Sequence, residues 1–186
     1  MPTNLVWTSI TPIEGINLTQ TYAAPYSQSS VTSATNDPSN PSDGTVQLGS
    51  IVFANNDSAW VLLQASTTIT AYNCVAFDAN FKANNITSAL AIANPMGIGV
   101  PQFSTGVTDP GVNPYFWAAI KGGGGMLVNV SGSAGTGVVV NTGTQAGYLT
   151  VSTTGTTIRS LLFNTSTGAS GTTDIVMQWP HTAALG

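Results

Sequence analysis

Acid–base or metal chemistry in this 186-residue chain would have to be built from seven carboxylates, a single histidine and a single cysteine. Glu14, Asp37, Asp43, Asp57, Asp78, Asp109 and Asp174 could in principle supply the carboxylate pair of a glycosidase. Nearly all of them sit in turn-like surroundings, as in Asp37-Pro38, Asp43-Gly44 and Asp109-Pro110-Gly111, where an Asp side chain bonds the backbone two residues on and needs no catalytic explanation. His181 follows Trp179-Pro180 in what reads as a C-terminal tail, with no sequence neighbours from which to assemble a triad, and one His with one Cys rules out a Cys/His zinc site. Asp57 and Asp109 have Asn55, Asn56 and Asn113 nearby as calcium ligands, but neither loop has the acidic density of an EF-hand. Cys74, in the apolar run Cys74-Val75-Ala76-Phe77, reads as a buried small hydrophobe, and a lone Cys cannot form an intrachain disulfide. Gly122-Gly123-Gly124-Gly125 is followed by neither a helix nor a Lys/Ser-Thr pair, so it is expected to be a flexible turn between two strands rather than a phosphate cradle. The expectation is a chain that is not an enzyme, with no catalytic residue, cofactor or metal ligand assigned.

Only 5% of the residues are charged, where about a quarter is usual. Lys82, Lys121 and Arg159 are far apart in sequence and the net charge is −4, so a phosphate-neutralising patch is not expected, and neither nucleic acid nor an anionic membrane is a predicted partner. No apolar run approaches the roughly 20 residues of a membrane span. Met1 to Glu14 lacks the pattern of a signal peptide, and the Asn-X-Ser/Thr sequons read as accidents of composition. A surface of Ser, Thr, Asn, Gln and Gly suits contact with other protein that changes little with salt.

The elements that must position these residues read as β. Residues 1–44 form an extended, Pro-rich polar arm, and residues 45–186 a β-rich domain, with the whole expected to be all-β, a β-sandwich or a jelly-roll or barrel-like fold. Ile51-Val52-Phe53 and Trp60-Val61-Leu62-Leu63, joined by Asn55-Asn56-Asp57-Ser58, read as a hairpin. Further strands are expected at Ile69–Phe77, Gly97–Phe103, Tyr115–Lys121, Met126–Val130, Gly137–Val140, Tyr148–Val151, Ile158–Asn164 and Ile175–Trp179, and a helix or short strand over Asn84–Ala93 with Asn as N-cap. Trp60 and Trp117, inside apolar strands, read as core. Trp7, Ile10, Ile13, Tyr22 and Tyr26 in the arm, and Trp179 near the C-terminus, are the candidate inter-subunit contacts, because apolar residues spaced through a Pro-rich segment cannot make a core of their own.

Leu48–Phe53 with Asp57–Ser66, Cys74–Asp78, Phe81–Ala83, Ile86-Thr87, Gly97–Gln102, Tyr115–Gly122 and Gly147–Leu149 together resemble the head decoration, or cement, proteins of tailed bacteriophages, in element order more than in identity, over roughly residues 45–165. The resemblance implies a β-rich virion structural protein on the outer surface of an icosahedral head, a homotrimer bound to the major capsid protein, assembled in the host cytoplasm and stabilising contacts between capsid subunits. It brings no active site with it. The alternative is another virion component, either a jelly-roll coat protein or a tail or fibre module binding host glycans. An arm without Lys or Arg is unlike the basic arms of genome-packaging coat proteins.

Overall fold

Strands β1 (Thr21–Tyr22), β2 (Ile51–Ala54), β3 (Ser58–Ala65), β4 (Ile69–Thr70), β5 (Val75–Phe77), β6 (Lys82–Asn85), β7 (Gly97–Pro101), β8 (Val107–Thr108), β9 (Tyr115–Val130), β10 (Val139–Thr142), β11 (Leu149–Thr150), β12 (Thr156–Phe163) and β13 (Gly171–Ala184) make the protein all-β. The computed structural model describes residues 18–19, 21–22, 47–54, 57–87, 89–90, 96–102, 107–108, 110–111, 114–132, 139–142, 145–151, 156–163 and 171–184. Trp7, Ile10, Ile13 and Tyr26 lie outside these residues, as does most of the arm.

Five strands close into a barrel. β3 pairs antiparallel with β9, β9 with β7, β7 with β5 and β5 with β6, and β6 returns parallel to β3 through Gln64↔Lys82 and Ala65↔Ala83. A ring this narrow holds few large side chains, and the inward positions are correspondingly small. Ala59, Val61, Leu63 and Ala65 of β3 meet Val75 and Phe77 of β5, Ala83 of β6, and Phe116, Ala118 and Ile120 of β9. β7 contributes no side chain at Gly99, where an added Cβ would lie 2.9 Å from Ala118 Cβ and 3.2 Å from the Ala119 carbonyl oxygen.

The outward positions of the same strands, among them Trp60, Leu62, Ile98, Val100 and Trp117, face a second core that also takes in Met126, Val128, Leu149, Leu161, Phe163, Ile175 and Met177. That core is enclosed by a second circuit of five strands. β9 pairs with β13, β13 with β12, β12 with β10 and β10 with β11, and β11 returns parallel to β9 at Leu149↔Val130. Each circuit has four antiparallel pairings and one parallel, and β9 belongs to both. The β2–β3 hairpin forms as expected, Ile51 opposite Val61, and leaves β2 at the end of the sheet.

Sharing one strand between two circuits requires β9 to turn without ending. Ile175 pairs with Met126 and Met177 with Gly122, so Val176 alone on β13 faces Gly123, Gly124 and Gly125 on β9. The tetraglycine is therefore a bulge inside one 16-residue strand and not a turn between two, which corrects the expected division at Lys121 and Met126. Gly122 and Gly125 hold φ of +141° and +100°, and a Cβ at Gly122 would stand 2.6 Å from Met126 Cε. β13 likewise runs through Pro180 to Ala184, so His181 is a strand residue paired with Arg159 rather than part of a tail. Ser160 alone opposes residues 178–180, with Ser160 and Trp179 at φ +59° and +54°, and this irregularity accommodates a Pro that has no N–H to give to the ladder.

Two further expectations change. Ile69–Phe77 is not one strand but β4 and β5, split at Tyr72 with φ +63°, and β4 pairs with β8 in a separate two-stranded sheet. Asn84 and Asn85 end β6 instead of capping a helix; the helical turn at Ala89-Leu90 is capped by Thr87, whose Oγ1 accepts the Leu90 N–H at 3.2 Å. Part of the arm docks on its own chain: Leu18 is fully buried in the larger core, and Thr21 and Tyr22 pair with Phe116 and Tyr115.

Candidate interaction surface

β2 is an edge strand of alternating exposure, with Val52 and Ala54 buried against the larger core while Ile51 and Phe53 are 45% and 44% exposed. Among the described residues its only strand partner is β3. Edges of this kind are usually blunted by Lys, Pro or a bulge. The residues Ile51-Val52-Phe53-Ala54 supply none of these, so a row of backbone donors and acceptors lies beside two apolar side chains.

The second exposed apolar area is the outer face of β12 and β13. Leu162 and Val176 are register partners, 37% and 36% exposed, and Trp179, three residues further along β13, is 47% exposed. Of the candidate contacts, Trp179 is thus placed at the surface. Tyr22 contributes its backbone to pairing within its own chain.

Several other polar groups have structural partners. Asn73 Nδ2 donates to Asn85 Oδ1 at 2.8 Å, Asn129 Nδ2 donates to Asn73 Oδ1 at 2.8 Å and to the Ala71 carbonyl at 2.9 Å, and Asn85 Nδ2 donates to the Thr68 carbonyl. This amide chain ties β6 and the turn before β5 to the far half of β9, joining the two circuits. Gly147 must be bare to lie on it, since a Cβ there would be 2.6 Å from Asn73 Cγ. Gln102 does similar work beyond the end of β7: its buried amide donates to the Leu127 carbonyl and accepts the Leu127 N–H, both at 2.8 Å, as a strand backbone would. In the sequence Asn73, Gln102 and Asn129 fall inside expected strands and Asn85 inside the expected helix or short strand; no local spacing signals that they meet.

The residues considered for catalysis are dispersed. Asp78 Oδ1 accepts the N–H groups of Asn80 and Lys82, the turn role expected of it. Asp57 is in the hairpin turn at φ +59° and receives Lys121 Nζ at 2.7 Å; with 83% of the Asp57 side chain in solvent, that pair is worth a few tenths of a kcal/mol at most. Asp109, Asn55, Asn56 and Asn113 lie outside the described residues. Cys74 is fully buried, and burial pushes its thiol far above its ordinary value. Trp60 and Trp117 are core residues, with the Trp60 indole N–H bonded to Ser58 Oγ at 2.9 Å. No group of three or more His, Cys, Asp or Glu side chains that could hold a metal ion occurs among the described residues.

Asp174 departs from the turn pattern. It lies within β13, and its Oδ1 is buried with no hydrogen-bond partner.

Comparison with known proteins finds no matching family model, no matching curated protein and no matching solved structure.

Proposed function

We propose that the chain is a virion structural protein, a decoration protein that binds the outer surface of an icosahedral phage head and stabilises contacts between major capsid subunits, without catalysing a reaction. The observation that carries this reading is the β2 edge, which among the described residues has no strand partner but β3, carries no charge and exposes Ile51 and Phe53. A neighbouring protein can add a strand to such an edge, taking affinity from backbone hydrogen bonds and specificity from the side chains beside them. The scarcity of charge over the chain supports the same reading, because a neutral polar surface can be covered by protein without stranding ions. Modest contacts repeated over a symmetric shell then hold by avidity, with a trimer at the threefold position as the expected stoichiometry.

The test is co-sedimentation of the purified chain with icosahedral shells of a phage major capsid protein. Saturable binding that changes less than about threefold between 50 and 500 mM salt supports the reading, as does loss of binding in Phe53→Lys. Shells that do not bind the chain, or that cannot form without it, contradict it.

A further inference from the structure

On β13 the core takes Thr173, Ile175 and Met177, which puts Asp174 and Val176 on the outer face. On β12 the core takes Ile158 and Leu161, and the extra residue Ser160 keeps both Arg159 and Leu162 outward. One face of this strand pair therefore runs from Asp174, past Leu162 and Val176, past Trp179, to Arg159 opposite His181. The ends are at most about 23 Å apart, seven residues along β13 at roughly 3.3 Å each.

Those ends carry opposite charges, and neither forms an ion pair among the described residues. Arg159 is exposed, and the single ion pair among the described residues is Lys121–Asp57. Asp174 is half-buried and its Oδ1 has no hydrogen-bond partner, so a donor arriving at the carboxylate from over the face would relieve a cost in free energy. Between them stand the exposed apolar side chains Leu162, Val176 and Trp179.

We infer that this face is an interface between two copies of the chain, related by a twofold axis that crosses the strands near residues 177–178. The operation sends each end of the face onto the other end of the partner. Arg159 then meets Asp174 of the second copy, Asp174 meets its Arg159, and Leu162 with Val176 covers its Trp179. Both charges lie on one face, so the contact is isologous and closes as a dimer instead of propagating. A trimer would have to use other surfaces; on a shell, the twofold contact would join neighbouring trimers. The inference does not depend on the capsid reading, since the purified chain alone can form the contact.

Sedimentation velocity of the full chain between about 1 and 200 µM tests it, a range suited to a face with few anchors. The expected result is a monomer–dimer equilibrium in which Arg159→Asp or Asp174→Arg alone weakens dimerisation at least tenfold. The decisive step is mixing those two variants: under the twofold operation every contact again pairs opposite charges, so the mixture forms heterodimers with affinity within about threefold of the unaltered chain. Circular dichroism of each variant monitors folding. Should Asp174→Arg not fold, Arg159→Asp must still abolish the dimer while Arg159→Lys retains it. A chain that is monomeric throughout, an oligomer indifferent to Arg159→Asp, or folded variants that do not recover on mixing would each overturn the inference.

Discussion

Gly99→Ala puts a single methyl group into the narrow barrel and sets two effects of opposite sign against each other. Gly99 is not among the residues held at positive φ, so the backbone accepts Ala, and the loss of freedom in the unfolded chain would by itself stabilise the protein by about 0.4–1 kcal/mol. Against this, the new Cβ would stand 2.9 Å from Ala118 Cβ and 3.2 Å from the Ala119 carbonyl oxygen, where ordinary contact begins at 3.4 Å. The shortfalls are 3.4 − 2.9 = 0.5 Å and 3.4 − 3.2 = 0.2 Å. Neither neighbour is the end of a flexible side chain. Both belong to β9, which is held by β3 on one side and by β7 on the other, so relief requires moving a strand shared by both circuits. Overpacking of this kind costs about 1–3 kcal/mol. The net expectation is a loss of about 1–2 kcal/mol, seen as a fall in Tm of roughly 2–8 °C for a chain of this length. Urea unfolding followed by tryptophan fluorescence reads it directly, and Ala118→Gly in the same chain should recover part of the loss beyond additivity, since it removes the closer contact. A Gly99→Ala protein as stable as the parent, or more stable, would refute the small-residue barrel interior.

Gln102→Ala strips the Leu127 N–H and carbonyl of their partners at once and should cost about 2–4 kcal/mol in urea unfolding, with faster hydrogen exchange at the Leu127 amide. Asn73→Ala leaves Asn129 its bond to Ala71 but orphans Asn85 Oδ1, for a loss of about 1–3 kcal/mol by the same assay. Cys74 should be inert to a thiol reagent at pH 8 in the folded protein and react fully once unfolded. Because burial raises the folded thiol's pKa above its ordinary 9.0, the unfolded state alone releases the proton as pH rises past that value; stability therefore falls on the alkaline side by up to about 1.4 kcal/mol per pH unit more than in Cys74→Ala. Equal alkaline slopes for the two proteins would show that the thiol is not buried.

Local chemistry made the β2–β3 hairpin legible, because two apolar runs flank a short Asn/Asp/Ser turn and the strands bury alternate faces. It misled wherever a breaker residue serves inside a strand. The tetraglycine in β9 and Pro180 in β13 both read as endings, yet each is carried by a bulge in which several residues face one across the ladder. Closure of the circuits was not legible at all. It depends on two parallel pairings, β3 with β6 and β9 with β11, between segments with no complementary signature in sequence. The candidate surface divides similarly. Trp179 stands out by its position near the end of the chain, whereas Ile51 and Phe53 read only as part of an apolar strand, because alternation within a strand does not say which face has a partner. Asp174 was grouped with the turn carboxylates, and only its place in β13 separates it from them.

The proposed role stands most directly on where the chain sits in a particle. A cryo-electron microscopy map of phage heads carrying it is expected to show the domain on the outer surface, with the β2 edge and Phe53 against the major capsid protein. Heads whose outer surface lacks the chain, or a map in which it forms the continuous shell or a tail fibre, would contradict that role.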